Sequence, residues 1–186
     1  IDLSSSYRSL IRRFFPNAKI VADRFHVIRI VQYHFLDLFR QIAPGIKKQR
    51  GFLTALRKHP DRLTWLQQER LETLFRDHPA IRPNYDQMQR LCRVLRQRHQ
   101  TARECRRLAP RLIKLTAQLA SSGFAPLAAL AKTLSIWSRE IACMWRFTKN
   151  NGITEGFHRK MKLIQRRADG FRNFQNCRLR VIAQCG

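Results

Sequence analysis

The chain has 186 residues, 44% of them hydrophobic, which suits one domain with a sizeable core and excludes wholesale disorder. Its 37 Lys and Arg face 12 Asp and Glu, a formal net charge of +25; that field repels basic partners and attracts polyanions, nucleic acid first and an anionic membrane second. No apolar run approaches the roughly 20 residues that span a bilayer, and no signal-peptide pattern follows Ile1.

Asp2 sits at the end of a strand-like start, and the abrupt opening at Ile1-Asp2 reads as part of a longer chain. Ser4, Ser5 or Ser6 caps a helix that runs to Phe14 or Phe15. Pro16-Asn17 is a turn, and Ala18-Lys19-Ile20-Val21-Ala22 reads as a buried strand ending at Asp23. Helix, turn and strand in that order are an α/β signature.

Beyond Asp23 no further strand is predicted. Phe25, Ile28, Val31, Phe35, Leu38, Phe39 and Ile42 recur at helical spacing until Pro44-Gly45. A second helix carries Leu63, Leu66, Leu71, Leu74 and Phe75, and a third, long one spans about 84–108. Pro110 is expected to break it, with a further helix over 111–120. Ser121-Ser122-Gly123 is a loop, residues 124–147 are helical again, and Asn150-Asn151-Gly152 interrupts before a last basic helix. Trp65, Trp137 and Trp145 fall on apolar stripes and are expected in the core.

Five cysteines, at 92, 105, 143, 177 and 185, include no Cys-x-x-Cys pair and read as reduced thiols. The six histidines lack zinc-ligand spacing. No Ser–His–Asp set, Walker loop or dinucleotide loop is visible.

Asp2 and Asp23 each follow a strand-like run, where α/β folds direct carboxylates into a ligand crevice. Hard oxygen donors there suit Mg²⁺ or Mn²⁺; equally, each Asp could simply cap the next helix. His26 lies one turn beyond Asp23, either a structural imidazole or a neighbour of the metal site. Glu155 opens the last helix, as a first-turn acid favouring the dipole or as a ligand. Arg159, Lys162 and Arg166 follow it on one face, with Arg167 beside them. Arg93, Arg96, Arg103 and Arg107 share a stripe if 84–108 is one helix, and guanidinium groups suit phosphate.

The blocks Asp2-x-x-x-x-Tyr7, Phe15-Pro16-Asn17-Ala18 and Val21-Ala22-Asp23-Arg24-Phe25-His26 resemble the middle block of insertion-sequence transposases of the ISL3 group. Asn151-Gly152-Ile153-Thr154-Glu155-Gly156, Lys160-Met161-Lys162 and residues 166–174 resemble that group's terminal block, in the same order. The resemblance implies a DDE transposase with a ribonuclease-H-like core, whose three acids bind two Mg²⁺ or Mn²⁺ ions for DNA cleavage and strand transfer. By resemblance Asp2 matches the second acid and Glu155 the third, and the first belongs upstream of Ile1. His158 stands where the group has Asn, and Asp169 where it has an aromatic.

The expected fold is mainly α: a partial ribonuclease-H-like α/β core over 1–27, a large all-helical insertion over 28–148, and a C-terminal core helix over 149–186 carrying the last acid. Asp2 and Glu155 are the expected catalytic metal ligands, with Asp23 and His26 in support. Arg93, Arg96, Arg103, Arg107, Arg159, Lys162, Arg166 and Arg167 are the expected DNA contacts. DNA is the partner, in a bacterial cytoplasm at the nucleoid, with no membrane and with a homodimer favoured by an open strand edge. The chain alone is expected to bind DNA without completing transposition. The competing reading is a non-catalytic helical nucleic-acid-binding module.

Overall fold

The computed structural model describes the backbone of residues 1–48, 50–147 and 152–185, and their side chains apart from 47, 50, 152–155 and 185. Among the described residues the regular structure is helical throughout, and no strand forms. The chain divides into two compact units, Ile1–Thr148 and Lys149–Gly186.

The first unit is organised around α2 (Arg24–Ile42). Val27, Val31, Phe35 and Leu38 recur along one face of it and are fully or almost fully buried. That face packs on α5 (Ile81–Leu95) and α7 (Ala125–Ile136). They contribute Ile81, Met88, Leu91 and Leu95 from one side and Leu127, Leu130 and Leu134 from the other. α6 (Ala102–Ala120) closes over α7, and α3 (Arg50–Arg57) pairs with α4 (Trp65–Asp77). α8 (Ser138–Arg146) buries Ile141, Met144 and Trp145, and the Trp145 indole donates to Val94 O at 3.0 Å. α1 (Ser5–Phe14) leaves Tyr7, Leu10 and Phe14 exposed. In the second unit α9 (Gly152–Arg167) lies against α10 (Phe174–Cys185), with Ile164 buried and Lys160 Nζ donating to Gln184 O.

Four expectations are corrected. The helix expected over 84–108 is two helices, because the chain leaves α5 at Arg96 and restarts at Thr101. Thr101 and Glu104 form a reciprocal capping box there, which sets a helix start more strongly than apolar spacing argues for continuity. Pro110 does not break a helix but lies inside α6. The strand expected over 18–22 is not formed: among the described residues its backbone bonds Ile1 at one end, and Ala22 N–H donates to Glu140 O of a helix at 3.1 Å, so no ladder runs along its length. Trp65 is 74% exposed, because it stands at the first position of α4, ahead of the buried Leu71–Phe75 face; Trp137 and Trp145 are core residues. α3 was absent from the expected elements; its eight residues carry too short an apolar pattern to register.

Candidate metal centre and basic surfaces

The Ile1 amine donates to Val21 O at 2.6 Å, and Asp23 N–H donates to Ile1 O at 2.7 Å. That is the hydrogen-bond pattern of a parallel pair with Ile1 opposite Ala22. The next residue on each segment is an aspartate, so the pairing sets Asp2 beside Asp23. α2 then begins immediately and carries His26 back over them. His26 Nδ1 lies 3.1 Å from Asp2 Oδ1 and 3.5 Å from Asp23 Oδ2. One donor atom from each residue falls within 4.8 Å of the others, a spacing that fits a metal ion.

Two details separate capping from ligation. Ser4, not Asp2, caps α1, accepting from Tyr7 N at 3.5 Å. The Asp2 carboxylate is therefore released from helix duty and stands half exposed beside the imidazole. Asp23 does cap α2, accepting from Phe25 N–H at 2.8 Å through Oδ1, while Oδ2 faces His26. The buried His26 Nδ1, although close to both carboxylates, makes no aligned hydrogen bond among the described residues. An orphaned imidazole nitrogen between two carboxylates is costly unless something occupies the space between them. Two carboxylates and one imidazole fit a divalent ion, and the nitrogen donor moves the preference from Mg²⁺ towards Mn²⁺.

Neighbouring contacts hold this corner in place. Arg24, absent from the sequence-derived site, sends Nε to Leu95 O at 3.2 Å and Nη2 to Gln97 O at 3.0 Å and Met144 O at 2.8 Å. It thereby ties the start of α2 to the ends of α5 and α8. Its position within the Asp23–His26 block was the only signal. Glu140, buried in α8, accepts from Arg12 Nη2 at 3.2 Å and lies 3.7 Å from Arg8 Nη1. Arg8 also donates to Ile136 O at 3.0 Å and sits 4.2 Å over the Trp137 ring. The Cys92 thiol is pushed up to about 11 by burial, so it supplies no thiolate at neutral pH.

Glu155 falls in the first turn of α9, and its side chain lies outside the described residues. Asn150 and Asn151 lie outside them too. Arg159, Lys162, Arg166 and Arg167 are exposed along α9, and none makes an ion pair among the described residues. The stripe on one long helix is corrected: Arg93 is on α5, Arg96 caps its end, and Arg103 and Arg107 are on α6. Arg93, Arg103 and Arg107 are exposed, whereas Arg96 is half-buried, its Nη1 buried and without a hydrogen-bond partner among the described residues.

A helical, strongly basic chain that gathers two carboxylates and an imidazole at one corner has the make-up of a protein directed at polyanions. The comparison with known proteins is specific: this chain belongs to the ISL3-type DDE transposase family, whose model, described as "Transposase", matches residues 1–181. It is also 29% identical over 197 residues to the transposase for insertion sequence element IS1001 of Bordetella parapertussis. That alignment takes in 98% of this chain and 46% of the relative, so the chain spans about half the length of the curated relative it matches. No solved structure matches it. No described helix is long and apolar enough to cross a membrane.

Proposed function

We propose that this chain is part of the catalytic region of a DNA transposase. In it Asp2 and Glu155 act as metal ligands, and Asp23 and His26 complete the corner on the Asp2 side. The observation that carries the reading is the Asp2–Asp23–His26 cluster with its orphaned imidazole nitrogen. When bound, a pair of divalent ions in such a site stabilises the attacking and leaving oxygens of an in-line displacement at phosphorus. Asp2 offers a carboxylate that no helix cap engages, Asp23 holds α2 with one oxygen and turns the other towards the same space, and His26 offers Nδ1 as the third donor. Arg159, Lys162, Arg166 and Arg167 on α9, together with Arg93, Arg96, Arg103 and Arg107, meet the phosphates of the strand.

The α/β reading of residues 1–27 belongs to this proposal, supported by the parallel-type pairing of Ile1 with Ala22. In the same reading 28–148 is the helical insertion, 149–186 brings the last acid, and the whole works at the nucleoid of a bacterial cell. Self-association is supported by the exposed Tyr7, Leu10 and Phe14 face of α1, and light scattering across concentration tests it.

Titration of Mn²⁺ into the chain, followed by the loss of the free-ion paramagnetic resonance signal, tests the metal reading. Saturable binding that Asp2→Asn weakens is expected; no binding, or binding indifferent to Asp2, leaves the non-catalytic nucleic-acid-binding module as the better account. Both readings expect DNA affinity to fall steeply with salt, which a scaffold for acidic proteins would not show.

A further inference from the structure

The motif over 166–174 contributes only Arg166 and Arg167 to the surfaces described above, yet its remaining residues shape a concavity within the second unit. Its volume is about 640 Å³, within the range of about 300–1,000 Å³ typical of ligand sites and larger than one phosphate needs. α9 ends there with Gly170 N–H donating to Gln165 O at 3.1 Å. Asp169 (φ 49°) and Gly170 (φ 97°) take left-handed conformations, so the chain reverses sharply into α10. Arg167, Arg172 and Arg180 line the concavity with Asn173, Asn176 and Phe171.

Its chemistry is one-sided. The three arginines make no ion pair among the described residues, not even with Asp169 in the same wall. α10 starts at the concavity, and its first turn carries no acidic side chain. The Asn173 side chain accepts from Gln175 N–H at 2.7 Å, and its carbonyl accepts from Cys177 N–H at 3.3 Å. The positive end of the helix dipole therefore adds to the guanidinium field. Arg180 lies 5.7 Å over the half-buried Phe171 ring, giving a stacked aromatic and guanidinium surface beside the cations.

We infer that this concavity seats one nucleotide unit of a DNA strand, its phosphate held by Arg167, Arg172 and Arg180 and its base laid against the Phe171–Arg180 stack. Guanidinium groups hold phosphate through paired hydrogen bonds, and base stacking on such surfaces tolerates any sequence. A base free to stack is unpaired, so the site favours single-stranded or frayed DNA. The inference rests on the reading of the chain as DNA-binding.

The test measures affinity of the whole chain for a labelled short oligothymidylate by fluorescence anisotropy. Arg172→Gln with Arg180→Gln is expected to weaken binding about tenfold or more and to flatten the salt dependence. Arg62→Gln with Arg76→Gln, the same charge change on exposed residues elsewhere, is expected to weaken it by less than about threefold. Phe171→Leu is expected to weaken binding while leaving the salt slope unchanged, which separates stacking from charge. Equal losses for the two arginine pairs would overturn the site, as would displacement of the oligonucleotide by millimolar inorganic phosphate at constant ionic strength. Failure of the unaltered chain to bind any DNA would overturn the DNA-binding reading beneath it, a distinct result.

Discussion

Asp23 uses its two carboxylate oxygens differently: Oδ1 accepts from Phe25 N–H at 2.8 Å, and Oδ2 faces His26 Nδ1 at 3.5 Å. Helix capping and ligation, which read as alternatives in the sequence, are therefore compatible in one side chain. Asn caps as well as Asp but is a poor divalent-ion ligand. Asp23→Asn should keep the cap while weakening Mn²⁺ binding. Asp23→Ala should lose about 1 kcal/mol from the cap as well. Urea titration and Mn²⁺ titration of the two variants check this; equal Mn²⁺ affinity in Asp23→Asn and the unaltered chain removes Asp23 from the metal centre.

Arg8 and Arg12 both approach Glu140, but they are not equivalent. The Arg8 side chain is 18% exposed, packs over Trp137 and reaches Ile136 O, whereas that of Arg12 is 58% exposed. Solvent screens the mostly exposed Arg12 guanidinium, leaving its pair about 1 kcal/mol or less, while Arg8 adds the packing of a buried stem and a cation–π contact of about 0.5–2 kcal/mol. Arg8→Ala is expected to destabilise the chain clearly more than Arg12→Ala in urea unfolding. The reverse order would mean that the guanidinium nearer to Glu140, rather than the better buried one, anchors α1.

Pro110 lies in the interior of α6 and is exposed. It lacks the N–H that would bond Arg106 O, and its ring crowds that carbonyl; in a helix interior the combined cost is about 3 kcal/mol. Pro110→Ala is expected to raise the melting temperature by several degrees, because α6 continues on both sides and no cap depends on the ring. An unchanged or lower melting temperature would show that α6 needs a bend there.

The elements that apolar spacing defines over many turns were legible. Val31, Phe35, Leu38 and Phe39 mark α2 in the sequence and are its buried face. What misled was local chemistry. Pro110 reads as a helix end, yet Leu108, Leu112, Thr116 and Leu119 bury one continuous face across it, and tertiary packing outweighs the proline's cost. The true break precedes Thr101, whose capping partner Glu104 reads in isolation as the lone acid of an arginine run. Asp2 and Asp23 were legible as candidates, but their adjacency depends on hydrogen bonds between residues 20 apart in sequence, which periodicity does not encode. Arg24 was opaque for the same reason: its acceptors lie 71, 73 and 120 residues away.

The capping box at α6 gives a pH prediction whose sign is fixed by Glu104. Its carboxylate accepts from Thr101 N–H at 2.7 Å and from Thr101 Oγ1 at 2.8 Å. These bonds, backbone first and hydroxyl second, hold the carboxyl below its ordinary value of 4.5, with a smaller push from Arg107. A carboxyl depressed in the folded state binds fewer protons there than when unfolded, so stability rises with pH through that window. The contribution is complete above the unfolded value and disappears as pH falls through the folded one. Glu104→Gln keeps an acceptor for the box but has nothing to titrate. The unaltered chain is therefore expected to be more stable than Glu104→Gln at neutral pH, and the difference should shrink steadily as the pH falls below about 4.5. Taking the difference between the two proteins cancels the general acid sensitivity of so cationic a chain. Thermal melts of both from neutral to acidic pH decide it: a gap that stays constant would show that the Glu104 charge adds nothing to the box.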